Sequence, residues 1–357
     1  MKDIKITRTQ ESRLPSLDFN NIPFGKIASD HMFTAEYENG AWKNYQIRPV
    51  ENLSLHPSNL ALHYGQSIFE GMKASITKDG VPMLLRPEMH ARRFNASAER
   101  MCMPTFPEED FVEILKLLVG MDKDWIPPIT GSAMYIRPFM FAADAALGVK
   151  ASDTYQFVVL TLPVGPYYSK PVKLFAETKY VRAVEGGVGE AKTAGNYAAS
   201  LYPTKKAIMN GYDQVLWLDS KEFKYIHEVG TMNIFFVFNE NEIVTPAING
   251  CILKGITRDS AIQLLREKGY SVTERDLSIE EVAEAYDNGT LTEVFGSGTA
   301  ALVAHVEEIN YKGKRIFLKE EDWGASEYVK AQINGLRDGT IEDTHGWTVP
   351  IKEPVLA

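Results

Sequence analysis

A single lysine, Lys192, stands in a stretch of small residues at 186–200, GGVGEAKTAGNYAAS. Glycine and alanine let a backbone come close to a ligand, so little side-chain bulk would separate Lys192 from a bound group. A lysine amine can form an imine with a carbonyl cofactor when a phenol or carboxylate nearby steers the proton. Tyr197 and Glu228 are candidates for that role. The stretch therefore indicates a cofactor-bearing lysine, a phosphate-binding loop or an incidental surface loop.

The phosphate-loop interpretation depends on a near match to a nucleotide-binding motif. GGVGEAKT follows G-x-x-x-x-G-K-[ST] except that Ala191 replaces the second glycine. QVLWLD ends on Asp219, where a magnesium-holding aspartate could stand. The missing glycine is one that lets such a loop close around phosphates, and Gly195 and Asn196 disfavour a helix starting at the lysine. A nucleotide triphosphatase is therefore the weaker interpretation.

Composition narrows the class of protein. The chain has 357 residues, 45% of them hydrophobic, which is enough for two packed domains. Its 38 basic and 47 acidic residues give a net charge of −9, which disfavours nucleic acid and anionic membranes as partners. Two cysteines, Cys102 and Cys251, indicate a reducing compartment without disulfides or a cysteine-rich metal site. With no apolar signal core at its start and no apolar run of ~20 residues, we expect a cytoplasmic protein that spans no membrane.

Hydrophobic patterns predict alternating helices and strands. PEMHARRFNASAERMCMP and FVEILKLLVGM have helical spacing, as do TRDSAIQLLREKG, which ends at Gly269, and SIEEVAEAYDNG. In the last of these, Ser278 and Glu281 have capping-box spacing. SAMYIRPFMF, TYQFVVLTLPV, QVLWLD and NIFFVF have the β-branched and aromatic residues typical of strands. PVGPYYSKPVK is the best linker candidate because of its prolines and glycine. We predict an α+β, or mixed α/β, fold with a small N-terminal α/β domain at 1–165, a linker at 166–177 and a large C-terminal cofactor-binding domain at 178–357.

Five motifs carry a resemblance to a known family. FEGMKA, GGVGEAKTAGNYAAS, EVGTMN, GITRDS and FGSGTAALV occur in the order and at about the spacing found in branched-chain-amino-acid aminotransferases. The resemblance extends from about Phe24 to the C-terminus, and five motifs in register are far more specific than one. It implies a fold type IV aminotransferase with pyridoxal 5'-phosphate at the interface of two mixed α and β domains.

The resemblance implies three residues at the reactive end of the cofactor. Lys192 would link covalently to the cofactor and then move the proton to and from the substrate α-carbon. Glu228 would keep the pyridine nitrogen protonated, whereas taken alone it would be a solvated carboxylate at a strand end. Tyr197 would hydrogen-bond the ring oxygen.

Phosphate binding is implied at four further positions. Arg93, three residues after His90, matches the family's phosphate arginine, and we expect its neighbour Arg92 to be solvated. Ile256 and Thr257 stand just before or at the start of a predicted helix, where unpaired N–H groups suit an anion. Thr257 is also a plain N-cap candidate. Thr299 matches a second hydroxyl on the phosphate.

The substrate pocket has to accept both a branched aliphatic side chain and the charged side chain of glutamate. Tyr135 and Arg137 are two apart and share one strand face. The resemblance implies that Arg137 meets the γ-carboxylate of glutamate, although each aromatic alone is more typical of an ordinary core. The aromatic residues that match the family's pocket wall are Phe24, Tyr64, Phe69 and Tyr135.

Backbone groups are expected to hold the substrate α-carboxylate. In the family these are N–H groups of the turn at Thr299 and Ala300, with Thr231 and Met232 nearby. Tyr64 is expected to reach the site from a second subunit, so a homodimer is implied.

The implied reaction is reversible transfer of the amino group between leucine, isoleucine or valine and 2-oxoglutarate, giving branched-chain 2-oxo acids and glutamate. Another fold type IV aminotransferase or lyase, acting on D-amino acids, aromatic amino acids or aminodeoxychorismate, is the alternative. FEGMK, EVGTMN and Tyr-x-Arg favour the branched-chain member. A catalytically silent binding module is disfavoured because Lys192, Glu228, Tyr197 and Arg93 are all present.

Overall fold

The computed structural model describes residues 3–165, 170–239, 241–320 and 323–351. The chain divides into two compact units. The first unit comprises Met1–Tyr167, Ala191–Ala194 and Asn334–Ala357, and the second comprises Tyr168–Glu190 and Gly195–Ile333. No helix within the described ranges is long and apolar enough to cross a bilayer.

The helices and strands are as follows in chain order. The α-helices are α1 (Leu60–Tyr64), α2 (Pro87–Arg100), α3 (Glu108–Met121), α4 (Ala194–Met209), α5 (Ile256–Lys268), α6 (Ile279–Asp287) and α7 (Ala325–Asp338), and Leu14–Ser16 and Lys123–Trp125 are short 3₁₀ helices. The strands are β1 (Lys5–Ile6), β2 (His31–Glu38), β3 (Ala41–Pro49), β4 (Ser67–Phe69), β5 (Met72–Ile76), β6 (Pro82–Leu85), β7 (Ala133–Ala142), β8 (Tyr155–Val164), β9 (Val172–Ala176), β10 (Gln214–Leu218), β11 (Ile226–Val229), β12 (Asn233–Phe238), β13 (Glu242–Thr245), β14 (Ser271–Glu274), β15 (Leu291–Gly298), β16 (Leu302–Tyr311), β17 (Lys314–Phe317) and β18 (Thr348–Pro350).

The first unit is built on a mostly antiparallel sheet. Its strand order is β1-β3-β2-β8-β7-β5-β6-β18, and β4 pairs with β7. Strand side chains alternate between faces, so Met134 and Ile136 of β7 enter the core while Tyr135 and Arg137 lie on the opposite face. On the core face, Phe94 of α2 and Phe111 of α3 pack on β8. α2 and α3 thus pack on one face of the sheet, and Tyr135 and Arg137 lie on the other.

The second unit is built on a mixed sheet with the order β11-β10-β9-β16-β15-β12-β13-β14, and β17 pairs with β16. β9 is parallel to both of its neighbours, and β13 is parallel to β14. α5 ends at Gly269, whose φ of 104° is in the left-handed region that favours glycine. α6 begins after Ser278, whose hydroxyl accepts from the backbone N–H of Glu281, so the N-cap hydrogen bond of the predicted capping box is confirmed, while the Glu281 carboxylate accepts from Arg275. The predicted mixed α and β class is likewise confirmed.

The predicted linker at 166–177 differs from the structure. Residues 166–169 lie outside the described ranges, but Val172–Ala176 is a strand inside the second sheet, hydrogen-bonded to β10 and β16. Val172, Leu174 and Ala176 are buried there. The two prolines before this strand concealed its short alternating pattern. The predicted C-terminal domain also differs, because residues 334–351 group with the first unit, where β18 pairs with β6.

Candidate active site

The backbone of Lys192 is held on both sides in the first unit. Its N–H donates to Ser97 Oγ at 2.9 Å, and its carbonyl accepts from the N–H of Phe69 at 3.0 Å. The hydroxyl of the next residue, Thr193, donates to the carbonyl of Ser67 at 2.7 Å. The half-buried Lys192 side chain therefore extends from a backbone that is fixed in place. A group that reacts with another atom needs such a defined position.

Two cations and three aromatic rings lie together in the first unit. Lys192 Nζ and Arg137 Cζ are each 4.7 Å from the centroid of the Phe69 ring. Arg137 Nη2 donates to Tyr135 Oη at 2.9 Å, and the Phe24 ring meets Tyr135 edge-on with 5.8 Å between centroids. The arrangement offers apolar ring surfaces and one fixed guanidinium, so it suits both an aliphatic and an anionic side chain.

Gly71 of FEGMKA lies against Tyr135. A Cβ at position 71 would lie 2.1 Å from Tyr135 Oη, so any larger residue would displace the phenol. The close approach gives the glycine of this motif a steric purpose that the sequence alone did not reveal.

A second lysine lies beside the aromatic residues and was missed by sequence reasoning. Lys73 stands directly opposite Tyr135 in the antiparallel β5/β7 pair, so both side chains point to the same face. Burial, together with the Arg337 guanidinium, lowers the pKa of Lys73 to about 7. Any test of the lysine that carries the cofactor must therefore distinguish Lys192 from Lys73.

The predicted phosphate arginine is oriented by a buried carboxylate. Arg93 donates from Nε to Glu70 Oε1 at 2.6 Å and from Nη2 to Oε2 at 2.8 Å. His90 Nδ1 lies 2.7 Å from the same Oε2. Burial acts to raise the pKa of Glu70, but Arg93 and His90 hold it well below its usual range. Burial lowers the pKa of His90, with further lowering from Arg93 and Lys192, against the effect of Glu70. Arg92, in contrast, has a side chain that is 66% exposed.

Glu228 in the second unit is buried, which excludes the solvated alternative. Its side chain is 3% exposed, and Oε2 lies 2.6 Å from Arg182 Nε. Oε1 accepts from Asn233 Nδ2 at 3.0 Å and from the N–H of Leu253 at 3.1 Å. Arg182 was missed by sequence reasoning. The sequence offered only a general reason to expect a basic partner, since a buried carboxylate needs a compensating charge.

Glu228 and Tyr197 line one pocket of the second unit. Tyr197 comes from the first turn of α4, and the pocket continues to the turn after β11, where the N–H of Met232 donates to the carbonyl of Val229 at 2.8 Å. The residues that line it are Arg182, Asn196, Tyr197, Ser200, Glu228, Gly230, Thr231 and Leu253. The pocket therefore has an acidic group and a phenol, as the sequence predicted, with an additional arginine.

The turn at Thr231 and Met232 packs against the strand that leads to Thr299 and Ala300. A Cβ on Gly298 would lie 3.0 Å from Met232 Cγ, so the two turns are in contact because this position is glycine. Thr299 and Ala300 are half-buried between β15 and β16. The structure brings these four predicted residues together.

The N-terminus of α5 is connected to Glu228. Gly255 is the N-cap, so Ile256 and Thr257 are the first two helical residues and Thr257 is not the cap. N–H groups in a first turn have no intrahelical acceptor and suit an anion. A Cβ on Gly255 would lie 1.9 Å from Asn233 Oδ1, on the same side chain that bonds Glu228.

The nucleotide-loop interpretation does not fit the structure. α4 nevertheless starts at Ala194, so the expectation that Gly195 and Asn196 disfavour a helix at this point is wrong, and Asn196 Nδ2 donates to the carbonyl of Val188 at 2.8 Å at the helix start. The contradiction comes from Asp219. Asp219 accepts from four backbone N–H groups of its own turn, at residues 221, 222, 224 and 225. Burial acts to raise the pKa of Asp219, but these hydrogen bonds lower it to about 2. Asp219 therefore closes a turn.

Tyr64 is not among the residues that the structure brings together. It lies in α1, is 44% exposed, and its hydroxyl accepts from the N–H of Gly148 at 2.9 Å.

Comparisons with known proteins confirm the predicted family. Residues 67–309 match the model of the family described as amino-transferase class IV. Branched-chain-amino-acid transaminase 1 of Bacillus subtilis (strain 168) is 48% identical over 340 residues, which are 94% of this chain and 95% of that protein. The T.th. branched-chain amino acid aminotransferase, solved in complex with N-(5'-phosphopyridoxyl)-L-glutamate, has a TM-score of 0.74 at 26% identity, with 92% of this chain and 100% of that chain covered. The enzyme from Escherichia coli has a TM-score of 0.70 at 27% identity, with 91% and 100% covered. The chain therefore belongs to the branched-chain-amino-acid aminotransferases, pyridoxal-phosphate-dependent enzymes within the class IV aminotransferases.

Proposed function

We propose that the protein catalyses reversible transfer of the amino group between leucine, isoleucine or valine and 2-oxoglutarate, giving branched-chain 2-oxo acids and glutamate. The observation that carries this proposal is the guanidinium of Arg137 over the ring of Phe69 and hydrogen-bonded to Tyr135. A guanidinium between ring surfaces can donate hydrogen bonds to the γ-carboxylate of glutamate, and the same rings can pack against an aliphatic side chain. Relatives named for this activity are 48% and 44% identical over nearly the whole chain.

The residues present fit pyridoxal 5'-phosphate. When bound, the cofactor supplies an electron sink for the electron pair that the substrate α-carbon keeps when its hydrogen leaves as a proton. The first unit provides an amine at Lys192 and an oriented guanidinium at Arg93. The second unit provides a buried carboxylate at Glu228 and the N–H groups at the start of α5. These groups match the aldehyde, the basic ring nitrogen and the phosphate group of the cofactor.

The chain's own residues then have distinct tasks. Lys192, fixed through its backbone, moves the proton at the substrate α-carbon. Glu228 remains ionised beside Arg182 and accepts a hydrogen bond from a protonated ring nitrogen. Tyr197 donates to the ring oxygen. The phosphate is held by Arg93, Thr299 and the N–H groups of Ile256 and Thr257, and the substrate α-carboxylate by the turns at Thr231, Met232, Thr299 and Ala300.

Arg137 has donor capacity left for a substrate. Among the described residues, Nε of Arg137 is buried and has no hydrogen-bond acceptor. A buried donor without an acceptor costs about 1–3 kcal/mol, and a substrate carboxylate would relieve that cost. We therefore assign recognition of glutamate to Arg137 and recognition of leucine to Phe24, Phe69 and Tyr135.

We also propose a homodimer formed through the surface that carries Tyr64. Leu62, Leu147 and Val149 are 63%, 68% and 90% exposed, and the contact of Tyr64 with Gly148 places them on one surface. A cluster of exposed apolar side chains is typical of a protein interface. Light scattering coupled to gel filtration should give twice the chain mass, and Val149→Asp should reduce the mass to one chain. A Val149→Asp protein of unchanged mass would contradict this interface.

We further propose that the two compact units are the two domains and that the protein is cytoplasmic. Both cysteines, Cys102 and Cys251, are free thiols, which is typical of a reducing compartment.

The absorbance spectrum of the purified protein tests the proposed reaction. Leucine should convert a yellow band into the near-ultraviolet band of the pyridoxamine form, and 2-oxoglutarate should restore it. Lys192→Ala should lose the yellow band of the covalent link, whereas Lys73→Met should keep it. A band in the wild type that D-alanine or phenylalanine converts faster than leucine would overturn the substrate assignment.

A further inference from the structure

We propose that Arg182 is a positioning residue that determines on which atom a proton lies, the ring nitrogen of the cofactor or the carboxylate of Glu228. The inference rests on the proposed function, because it takes Glu228 to be the partner of the ring nitrogen. It adds a residue that none of the sequence motifs contained.

The geometry of Arg182 fixes both its position and its charge. The guanidinium contacts Glu228 Oε2 at 2.6 Å, the carbonyl of Cys251 at 2.7 Å and the carbonyl of Gly189 at 3.2 Å. Its side chain is 9% exposed. An arginine does not lose its proton in proteins, so this buried charge is permanent.

The glycine-rich stretch closes on the arginine because position 189 has no side chain. A Cβ on Gly189 would lie 2.7 Å from the carbonyl oxygen of Cys251 and 2.6 Å from Cβ of Ala183. Only glycine therefore lets the two carbonyls converge on one guanidinium. The loop that resembled a phosphate cradle binds the side chain of Arg182.

The charge of Arg182 determines whether the proton shared by Glu228 and the ring nitrogen lies on the carboxylate or on the ring. Burial alone favours the neutral acid, so an unassisted Glu228 would take the proton from a ring nitrogen and leave both groups uncharged. Arg182 favours the carboxylate and lowers its proton affinity. Asn233 and Leu253 also donate to this carboxylate but carry no charge. The arginine therefore keeps the proton on the ring nitrogen, where the electron sink needs it.

The test is the ¹⁵N NMR signal of cofactor labelled at the ring nitrogen, bound to the protein without substrate. At neutral pH the wild type should give the signal of a protonated pyridine. Arg182→Gln should shift the signal to that of a neutral pyridine. Asn233→Ala is the matched control, because it removes an uncharged donor from the same carboxylate and should leave the ring protonated.

Arg182→Lys keeps the proposal testable if Arg182→Gln does not fold. A lysine titrates and an arginine does not, so the lysine variant should lose the ring proton at a lower pH than the wild type. A protonated signal in a folded Arg182→Gln, or a wild-type titration in Arg182→Lys, would overturn the role of Arg182 alone. An unprotonated ring in the wild type would overturn the role of Glu228 in the proposed function, and this inference with it.

Discussion

Replacing Ser97 by alanine should loosen the backbone of Lys192, the proposed catalytic lysine, without changing the lysine side chain itself. Ser97 is 2% exposed, and its hydroxyl donates to the carbonyl of Arg93 at 3.0 Å while it accepts the N–H of Lys192 at 2.9 Å. Alanine leaves that N–H without its acceptor in a segment where Ala191 and Thr193 are buried. An unsatisfied buried donor costs about 1–3 kcal/mol. If the loss falls on the held conformation, the ratio of correctly placed to displaced Lys192 decreases by about 5- to 150-fold.

Two measurements separate this loss from ordinary destabilisation. Stopped-flow absorbance gives the rate at which cofactor-free protein forms the yellow covalent link, and steady-state kinetics gives kcat with leucine. Both should decrease in Ser97→Ala. Ser97→Thr keeps an oxygen that can bond the carbonyl four residues earlier, so it should recover most of the rate. Ser29→Ala is the matched control, since Ser29 is also buried in the first unit but bonds Thr161.

The decisive comparison is between the two alanine variants. Both should lower the urea midpoint of unfolding, but only Ser97→Ala should slow formation of the covalent link. Equal rates in the two variants would refute the argument that the serine positions Lys192.

Other residues of the first unit give three further predictions. Arg137→Ala should lower kcat/KM for glutamate by about 10- to 100-fold, as expected for a lost charged hydrogen bond, and lower it much less for leucine; equal losses in steady-state assays would contradict the assignment. Gly71→Ala should lower kcat/KM for both substrates, because its Cβ would lie 2.1 Å from Tyr135 Oη, and unchanged kinetics would show that the phenol is not needed in place. The folded pKa of His90 is lowered, so the unfolded chain binds protons more readily, and the free energy of unfolding should decrease as the pH falls below about 6.5. The lowered pKa of Glu70 should add a further decrease below about pH 4.5. Urea unfolding across this pH range should show both losses, and a His90→Gln variant with the wild-type slope near pH 6 would disprove the first.

Local signals made several elements predictable from the sequence. α6 follows from the capping pair Ser278 and Glu281 together with its hydrophobic spacing, and α5 ends at Gly269 as predicted. These features depend on residues within one turn of each other, so sequence alone contains the cause. The family was predictable for another reason, since five motifs in register identified it.

The residues that support the site were not predictable, because their effect depends on contacts between distant segments. Ser97 meets Lys192 across 95 positions, and Arg182 meets Glu228 across 46 positions. Val172–Ala176 had an ordinary strand pattern, but only pairing with β10 and β16 makes it a central strand. Neither periodicity nor composition contains such information, since it arises when the sheet order is formed.

The two supporting contacts use different physics, and this difference follows from the tasks of the groups that they hold. In the proposed function Lys192 has to change partners during the reaction, and its backbone is held by neutral hydrogen bonds to Ser97 and Phe69. In the proposed function Glu228 has to keep one charge state throughout, and it is held by a permanent cation at 2.6 Å. A neutral anchor at Glu228 would let its proton affinity rise with burial, and a carboxylate at Lys192 would hold the amine in its charged form and slow its attack on a carbonyl. The glycine-rich stretch that precedes the lysine contributes to the second of these contacts, since the carbonyl of Gly189 accepts a hydrogen bond from Arg182.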